Sequence, residues 1–120
     1  MAEKLVGKKS TTSRRRRGRT TELIFAKYLK ECGWLYAEAT SSSAQGTDIK
    51  GVIGVDWEIK ARQGFPVKET MRQQEKRAKE GVIPIAVLRQ NGQGEKDIEN
   101  WPAVMPVSVV IKLLKEAGYQ

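Results

Sequence analysis

Two carboxylates and a lysine near the middle of the chain have the residue types and the spacing of a metal-dependent hydrolytic site. Glu58 follows Asp48 by ten residues, and Lys60 comes two residues after Glu58. Residues two apart on a β-strand point to the same face, so Glu58 and Lys60 share one face while Trp57 and Ile59 occupy the other. Carboxylates that hold a divalent cation beside an ammonium group can activate water for hydrolysis.

A tight hairpin is predicted to bring the two carboxylates together. If Asp48 lies across from Glu58, then Gly51 pairs with Val55, and residues 52–54 form a three-residue loop that ends in a left-handed glycine. The facing Cβ atoms are then roughly 5 Å apart. Two like charges at this separation destabilise a sheet unless a cation lies between them. The alternative is an ordinary Glu-x-Lys pair on an exposed strand.

A third carboxylate lies on the apolar face of the first predicted helix, which spans residues 20–32. The residues three, four and seven positions after Glu22 are Phe25, Ala26 and Leu29, so Glu22 belongs to the core-facing stripe. A carboxylate there costs free energy unless it is paired or binds a metal. The alternative is that Glu22 complements the helix dipole at the solvent edge of the first turn.

A glutamine occupies a similar position on the second predicted helix, which spans residues 67–80. Val67, Met71 and Ala78 mark the inward face of this helix, and Gln74 falls on the same face. A polar group in an apolar stripe needs a buried partner. An active-site carboxylate, a metal-bound water or a DNA phosphate would each serve, and a position at the margin of a narrow stripe is an equal alternative.

In order and spacing, these residues resemble the PD-(D/E)xK nuclease superfamily and, within it, the small Holliday-junction resolvases of archaeal and phage type. The shared pattern is an arginine-rich start, a first-helix Glu, a Gly- and Ser-rich loop, Asp-Ile, a hairpin, Glu-x-Lys and a basic helix with Gln. The likeness extends from about Arg14 to Gly118. The residue before Asp48 is Thr47 and not the proline of the superfamily's name, at a position that varies in such enzymes.

The resemblance implies a role for each residue of the pattern. The implied catalytic residues are Glu22, Asp48, Glu58, Lys60 and Gln74. The implied metal ligands are Asp48, Glu58, the carbonyl oxygen of Ile59, and Glu22 directly or through water. Lys60 would position the attacking water and stabilise charge on the scissile phosphate. Mg²⁺ is the expected ion because the ligands are a few hard oxygens, and Mn²⁺ is expected to substitute for it.

The excess positive charge is concentrated in the first quarter of the chain. Residues 1–30 contain ten Lys or Arg and two Glu, while residues 31–120 contain twelve residues of each sign. Residues 1–13 are polar and aperiodic, so they are predicted to form a basic arm that is disordered until bound, ahead of a single nuclease domain at 14–120. Basic arms bind phosphates and release counterions. A nuclear localisation signal or a solubilising tail is the alternative.

The predicted DNA contacts combine this basic segment with polar groups near the site. They are Arg14, Arg15, Arg16, Arg17, Arg19, Ser42, Ser43, Arg62, Arg72 and Lys76. The serines belong to a Ser-rich loop at 41–43, where such resolvases often carry a functional serine. A plain linker is the alternative, and the residue types do not distinguish among the three serines.

The predicted order of elements is αβββαββα, which gives an α/β fold with a central mixed β-sheet flanked by helices. The resemblance implies that this is a restriction-endonuclease-like core. The predicted strands span 34–39, 47–52, 55–62, 82–88 and a short polar segment that reaches about Trp101. The last helix begins at Pro106, which suits a first helical turn. Pro84 in the fourth strand implies an early bulge or a missing ladder bond.

Composition excludes several other classes. The 120 residues suffice for one domain, and a single Cys with no His excludes a disulfide framework, zinc fingers and histidine-based chemistry. No stretch approaches the ~20 apolar residues of a membrane span. The N-terminus lacks a hydrophobic signal core. The sequence therefore predicts an intracellular, cytoplasmic protein with no membrane partner.

Together these features predict a Mg²⁺-dependent, structure-selective DNA endonuclease, in particular a Holliday-junction resolvase that binds branched DNA. A homodimer is expected from the resemblance, because a four-way junction has near two-fold symmetry and two linked sites can cut opposing strands. One alternative is a nuclease of the same fold that acts on flaps or foreign duplex DNA. Another is a catalytically silent DNA-binding or packaging accessory protein whose acidic residues are structural.

Overall fold

The computed structural model describes residues 2–40, 47–61 and 67–120, with the side chains of the first helix described from Arg16 onward. Its elements are, in chain order, α1 (Ala2–Glu31), β1 (Glu38–Ala39), β2 (Ile49–Lys50), β3 (Val55–Lys60), α2 (Val67–Lys79), β4 (Ile83–Leu88), a 3-10 helix (Glu95–Asn100), β5 (Ala103–Val104) and α3 (Val107–Glu116). The predicted α/β class and the order αβββαββα are confirmed. No described helix is both long enough and apolar enough to cross a membrane.

A mixed three-stranded sheet in the order β3-β4-β5 forms the centre of the fold. β3 and β4 run parallel, with Glu58 opposite Ala86, and β5 runs antiparallel to β4. Parallel neighbours need a crossover connection, and α2 provides it between β3 and β4. The shorter strands β1 and β2 pair with each other in a separate antiparallel ladder.

Pro84 fits into the central strand because its missing donor faces an unpaired edge. The N–H of Ile83 donates to the chain just before β3 (2.8 Å), and that of Leu88 donates to the chain just before β5 (2.9 Å). By alternation, residue 84 faces the β5 side, as Leu88 does. Among the described residues, β5 pairs with Ala86 and Val87 and ends before reaching Pro84. The ladder bond that Pro84 cannot make is therefore one that no neighbouring strand offers.

Aromatic packing joins α1 to one face of the sheet. The ring of Phe25 lies 5.1 Å from that of Trp57 in an edge-on arrangement and 6.5 Å from that of Trp101 in a stacked one. Trp57 and Ile59 are buried on this side of β3. The charged residues of β3 therefore point to the opposite face, towards α2, as the alternation of the sequence predicts.

The first helix is longer than predicted. It begins at Ala2 and not near residue 20, so residues 2–13, which were expected to lack regular structure, continue it. The segment contains no proline, and Ala2, Glu3, Lys4, Leu5, Lys8 and Lys9 favour helix. The missing apolar periodicity therefore did not argue against helix itself.

Three further local predictions were wrong. The polar strand before Trp101 is a 3-10 helix, since the Asp97 carboxylate accepts the N–H of Gly94 (3.1 Å) and starts a tight turn. The fifth strand instead follows Trp101, in a segment expected to be a connection. On α2, Val67 is 54% exposed, and Thr70 takes the buried position beside Gln74.

Gly51 is predicted to be far less replaceable than Gly54. Both have a left-handed backbone, with φ of 92° and 83°. A Cβ on Gly51 would overlap the main chain of Tyr36, whereas one on Gly54 would meet no atom within 4 Å. Gly54→Ala should cost about 1 kcal/mol of unfolding free energy. Gly51→Ala should cost at least about 2 kcal/mol more. Urea unfolding of both variants measures the difference, and equal losses would contradict the overlap.

Candidate functional site

The segment that carries Asp48 lies between β1 and β3 and does not form the predicted hairpin ladder. β2 pairs with β1, with Ala39 opposite Ile49, so the regular pairing of residues 47–52 with β3 was wrong. The N–H of Asp48 donates to the carbonyl of Trp57 (2.8 Å), and the carbonyl of Asp48 accepts the N–H of Thr40 (2.9 Å). The main chain of Asp48 is thus held from both sides.

Two side chains replace main-chain groups where this segment meets β3. The N–H of Trp57 donates to the hydroxyl of Thr47 (2.8 Å), which in turn donates to the carbonyl of Ile49 (2.7 Å). The N–H of Ile59 donates to Asp48 Oδ2 (2.7 Å). Thr47 stands where the superfamily's name has proline, and in this chain its hydroxyl makes bonds that proline cannot make.

A cavity of about 320 Å³ lies between the charged face of β3 and α2. Four predicted site residues line it: Asp48, Glu58, Gln74 and Lys76. Residues that the sequence analysis did not single out also line it: Asp56, Gln73, Arg77, Glu80, Pro84 and Ile85. The structure therefore brings both central carboxylates, the inward glutamine and one predicted DNA contact to the same space.

Lys60 and Glu22 do not line this cavity, but each interacts with one of its two central carboxylates. Lys60 Nζ is 2.9 Å from Glu58 Oε1, and both side chains are about one-quarter to one-third exposed. Glu22 Oε2 is 3.5 Å from Arg19 Nη1, and its charge interacts with that of Asp48. The first-helix carboxylate is therefore close enough to influence the site.

The negative charge of Asp48 is costly in this environment. Burial raises the pKa of Asp48, and the neighbouring Glu58 raises it further. The N–H of Ile59 and the charge of Lys60 oppose this shift. Burial, and then the charge of Asp48, raise the pKa of Glu22, while Arg19 lowers it. Both groups are held where a nearby cation would favour their charged form.

Most carboxylates around the cavity already have a cationic partner. The pairs are Glu22–Arg19, Glu58–Lys60, Asp56–Arg77 and Glu80–Arg77. Asp48 makes no salt bridge within the described part of the chain and accepts the main-chain N–H of Ile59. Asp48 is thus the position at which an added cation would relieve the largest uncompensated charge.

Gln74 is buried as predicted, with 3% of its surface exposed. Its Nε2 donates to the carbonyl of Val104 on β5 (2.8 Å), so its partner is main chain rather than a carboxylate. Its Oε1 is buried and has no hydrogen-bond partner among the described residues. The Gln74 residue lines the cavity, its amide is fixed by Val104, and its Oε1 is a buried acceptor that lacks a partner in the described part of the chain.

Asp56 and Arg77 are the cavity residues of most chemical interest that sequence reasoning missed. Arg77 Nε lies 2.6 Å from Asp56 Oδ2. Asp56 is two residues before Glu58, so the alternation that selected Glu58 and Lys60 also places Asp56 on their face. Arg77 follows Gln74 by three residues on α2, which is one helical turn. The signal for both was present in the spacing.

The other predicted contacts are spread over the molecule. Arg72 lies in a shallow groove elsewhere on α2, outside the cavity. Arg19 donates to the carbonyl of Thr40 (2.5 Å), Arg17 donates to that of Gln90 (3.5 Å), and Arg16 is exposed. The remaining residues lie outside the described side chains: Arg14, Arg15, Ser42, Ser43 and Arg62.

No protein-family model, curated protein or solved structure matches this chain. Among the described residues, no three or more His, Cys, Asp and Glu side chains are grouped to hold a metal ion. The case for a function therefore depends on the residues and geometry of the chain itself.

Replacing Asp48 by Asn should raise the stability of the metal-free protein near pH 7. The raised pKa of Asp48 means that the folded state binds more protons between the ordinary aspartate pKa and the raised one. Wild-type stability should therefore fall as pH rises through that window, and Asp48→Asn should remove this fall while keeping an acceptor for Ile59. The gain should vanish below about pH 4.

Urea unfolding across this pH range, with a chelator present, measures the effect. Glu38→Gln is the control, because it removes one exposed carboxylate that does not line the cavity. A stability difference between wild type and Asp48→Asn that does not change with pH would contradict the prediction.

Proposed function

We propose that this protein is a Mg²⁺-dependent DNA endonuclease with a restriction-endonuclease-like site, selective for branched DNA such as a four-way junction. One observation carries the proposal: Asp48 and Glu58 line a single cavity under the basic helix α2, with Lys60 Nζ 2.9 Å from Glu58. These groups follow the order and spacing of the PD-(D/E)xK pattern. The cavity lies at the protein surface, where a phosphate group can enter.

The residues present fit a magnesium ion. Mg²⁺ is commonly held by one or two carboxylates and keeps several waters, so a cluster of three acidic side chains is not required. Asp48 and Glu58 would hold it with the carbonyl oxygen of Ile59, and Glu22 would act through water. When bound, Mg²⁺ would polarise a phosphoryl oxygen and lower the pKa of a bound water.

The chain's own groups would then orient the reactants. Lys60, now paired with Glu58, would turn its ammonium group to the attacking water and to the charge that develops on the phosphate. Gln74 would help to shape the cavity wall, because its Nε2 is fixed by the bond to Val104. Its buried Oε1, which has no partner among the described residues, would accept a hydrogen bond from water only if the side chain shifted towards the cavity.

Positive groups on two helices support binding to a DNA backbone. The last turn of α2 carries Lys76, Arg77 and Lys79, and the predicted contacts Arg16 and Arg19 on α1 are exposed. Neutralising phosphates with Lys and Arg is the main source of affinity for DNA. DNA that crosses the cavity would meet α2 beside the two carboxylates.

A homodimer completes the proposal. α3 exposes an apolar stripe, in which Val107, Ile111 and Leu114 are 75%, 46% and 42% exposed. Apolar side chains that recur along one helix face are suited to pairing with a second copy. Two sites related by two-fold symmetry would match the symmetry of a four-way junction.

A catalytically silent DNA-binding protein is the second candidate. The pairing of Glu58 with Lys60 favours it, because the ammonium group already compensates one of the two central carboxylates. Both candidates predict DNA binding, and cleavage in Mg²⁺ separates them. Incubation with a four-way junction, a flap, a linear duplex and a single strand provides that test and ranks the substrates.

Asp48→Ala and Glu58→Ala should each lower cleavage of the preferred substrate by more than tenfold and leave DNA binding nearly intact. Loss of a metal ligand removes transition-state stabilisation, whereas docking depends on the basic residues. Single-turnover cleavage in Mg²⁺ and binding isotherms with a chelator present measure the two effects. Glu38→Ala is the matched control, since it removes an exposed carboxylate outside the cavity. Retention of more than a tenth of the wild-type rate by either site variant would refute the assignment.

Lys60→Ala should slow cleavage while preserving or increasing Mg²⁺ affinity. In the structure the ammonium group of Lys60 occupies Glu58 Oε1, so its removal frees an oxygen for the ion. The rise in melting temperature with Mg²⁺ concentration reports this affinity without any need for activity. A loss of the Mg²⁺ effect as large as that of Asp48→Ala would show that Lys60 instead holds the carboxylates in place.

A further inference from the structure

We propose that Arg77 binds a phosphate group of the DNA at the mouth of the Asp48–Glu58 cavity and that Asp56 positions it for this contact. The proposal deepens the proposed function and rests on it, because it assigns the substrate contact of the same site. Both residues line the cavity with the two carboxylates.

Arg77 is held through part of its guanidinium only. Its Nε donates to Asp56 Oδ2 (2.6 Å) and its Nη1 donates to Glu80 Oε2 (3.0 Å). Within the described part of the chain, Nη2 makes no hydrogen bond to another side chain or carbonyl. A guanidinium carries five N–H donors in a planar fork, so donors remain for a phosphate oxygen.

The two carboxylates that hold Arg77 differ in exposure. The Asp56 side chain is 14% exposed, while that of Glu80 is 48% exposed. A well-exposed ion pair contributes little free energy, so a phosphate can replace Glu80 at small cost. The more buried Asp56 would keep its bond to Nε. Arg77 would thus exchange Glu80 for the phosphate and keep its bond to Asp56.

The negative charge of the cavity wall explains why an entering phosphate would need a contact with Arg77. Asp48, Asp56 and Glu58 all line the cavity and would repel an approaching phosphate. Arg77 and Lys76 are the cationic residues in the described cavity wall. Lys76 is exposed and Arg77 is partly buried and held by Asp56, so Arg77 presents the more fixed positive group. Arg77 therefore compensates the acidic wall where the phosphate enters.

The salt dependence of DNA binding tests the role of Arg77. Isotherms for a four-way junction and for a linear duplex, between ~50 and ~200 mM salt with a chelator present, give the slope of log affinity against log salt. For at least one of these two DNA probes, Arg77→Ala should reduce the magnitude of the slope by about 0.9, which corresponds to the loss of one phosphate contact. Lys68→Ala is the matched control, because Lys68 is an exposed lysine on the same helix but outside the cavity wall. Its slope should be unchanged.

Two variants of Asp56 separate positioning from simple charge. Asp56→Asn and Asp56→Ala remove the same negative charge, but only the asparagine keeps an oxygen that can accept from Arg77 Nε. Positioning requires Asp56→Ala to bind DNA at least threefold more weakly than Asp56→Asn. Equal affinities would overturn the role of Asp56, since relief of repulsion alone strengthens binding equally in both.

A comparison of Asp56→Asn/Arg77→Ala with Asp56→Asn controls for misfolding of Arg77→Ala. Arg77→Ala leaves Asp56 without its cation, which can destabilise the protein. Asp56→Asn/Arg77→Ala has no such unpaired charge, and its slope should still be lower than that of Asp56→Asn alone. Equal slopes in this pair would overturn the Arg77 contact.

The outcomes also separate this inference from the proposed function. A wild-type protein that cuts DNA in Mg²⁺ but shows the same salt slope without Arg77 would refute the Arg77 contact and leave the nuclease. A protein that cuts none of the substrates, yet loses slope in Arg77→Ala, would refute the nuclease and support the phosphate contact. No DNA binding by the wild type would refute both.

Discussion

The hydrogen bond from the N–H of Ile59 to the carboxylate of Asp48 is the interaction on which the site depends (2.7 Å). It fastens the loop before β2 to the strand that carries Glu58, although no regular ladder joins the two segments. It also fixes the carboxylate in a partly buried position, where its charge is unfavourable. This contact therefore helps to set the distance between the acidic groups, and burial keeps the charge of Asp48 unfavourable even though the N–H of Ile59 stabilises it.

The strand β3 positions the other acidic groups of the site because its two faces lie in different environments. Trp57 and Ile59 anchor one face in the core against α1, so the alternating residues must point into the cavity beneath α2. The parallel register places Glu58 opposite Ala86, whose small side chain leaves room beside the carboxylate. The crossover through α2 then brings Gln74 over the same space. A rigid scaffold thus presents the polar groups, and the loops contribute Asp48.

Period-two alternation was sufficient to predict that Glu58 and Lys60 share one face of β3. Helical spacing was sufficient to predict the inward position of Gln74. The same alternation also places Asp56 on this face, but the sequence analysis did not identify Asp56 because it is not part of the motif. The hairpin prediction was wrong because it assumed regular main-chain pairing. Instead, Thr47 and Asp48 accept main-chain N–H groups of β3 through their side-chain oxygens. Pairing of β2 with β1 could not be read from local pattern, since two-residue strands are specified by tertiary contacts such as the close approach of Gly51 to Tyr36.

The distribution of ion pairs has a consequence for how metal and substrate would act together. Glu58 is paired with Lys60 and Asp56 with Arg77, while Asp48 has no cationic partner among the described residues. A magnesium ion at Asp48 and Glu58, as proposed, would compete with the ammonium group of Lys60 for the charge of the Glu58 carboxylate and favour its exchange to another anion. A phosphate in the cavity offers Lys60 another anion, so it lowers the cost of that exchange. Metal and phosphate binding would then be mutually favourable, because each removes a competitor of the other, and by linkage the effect is equal in both directions. Under the proposal, such coupling would favour the metal-bound site in the DNA complex, where Lys60 would lie next to the phosphate on which it is expected to act.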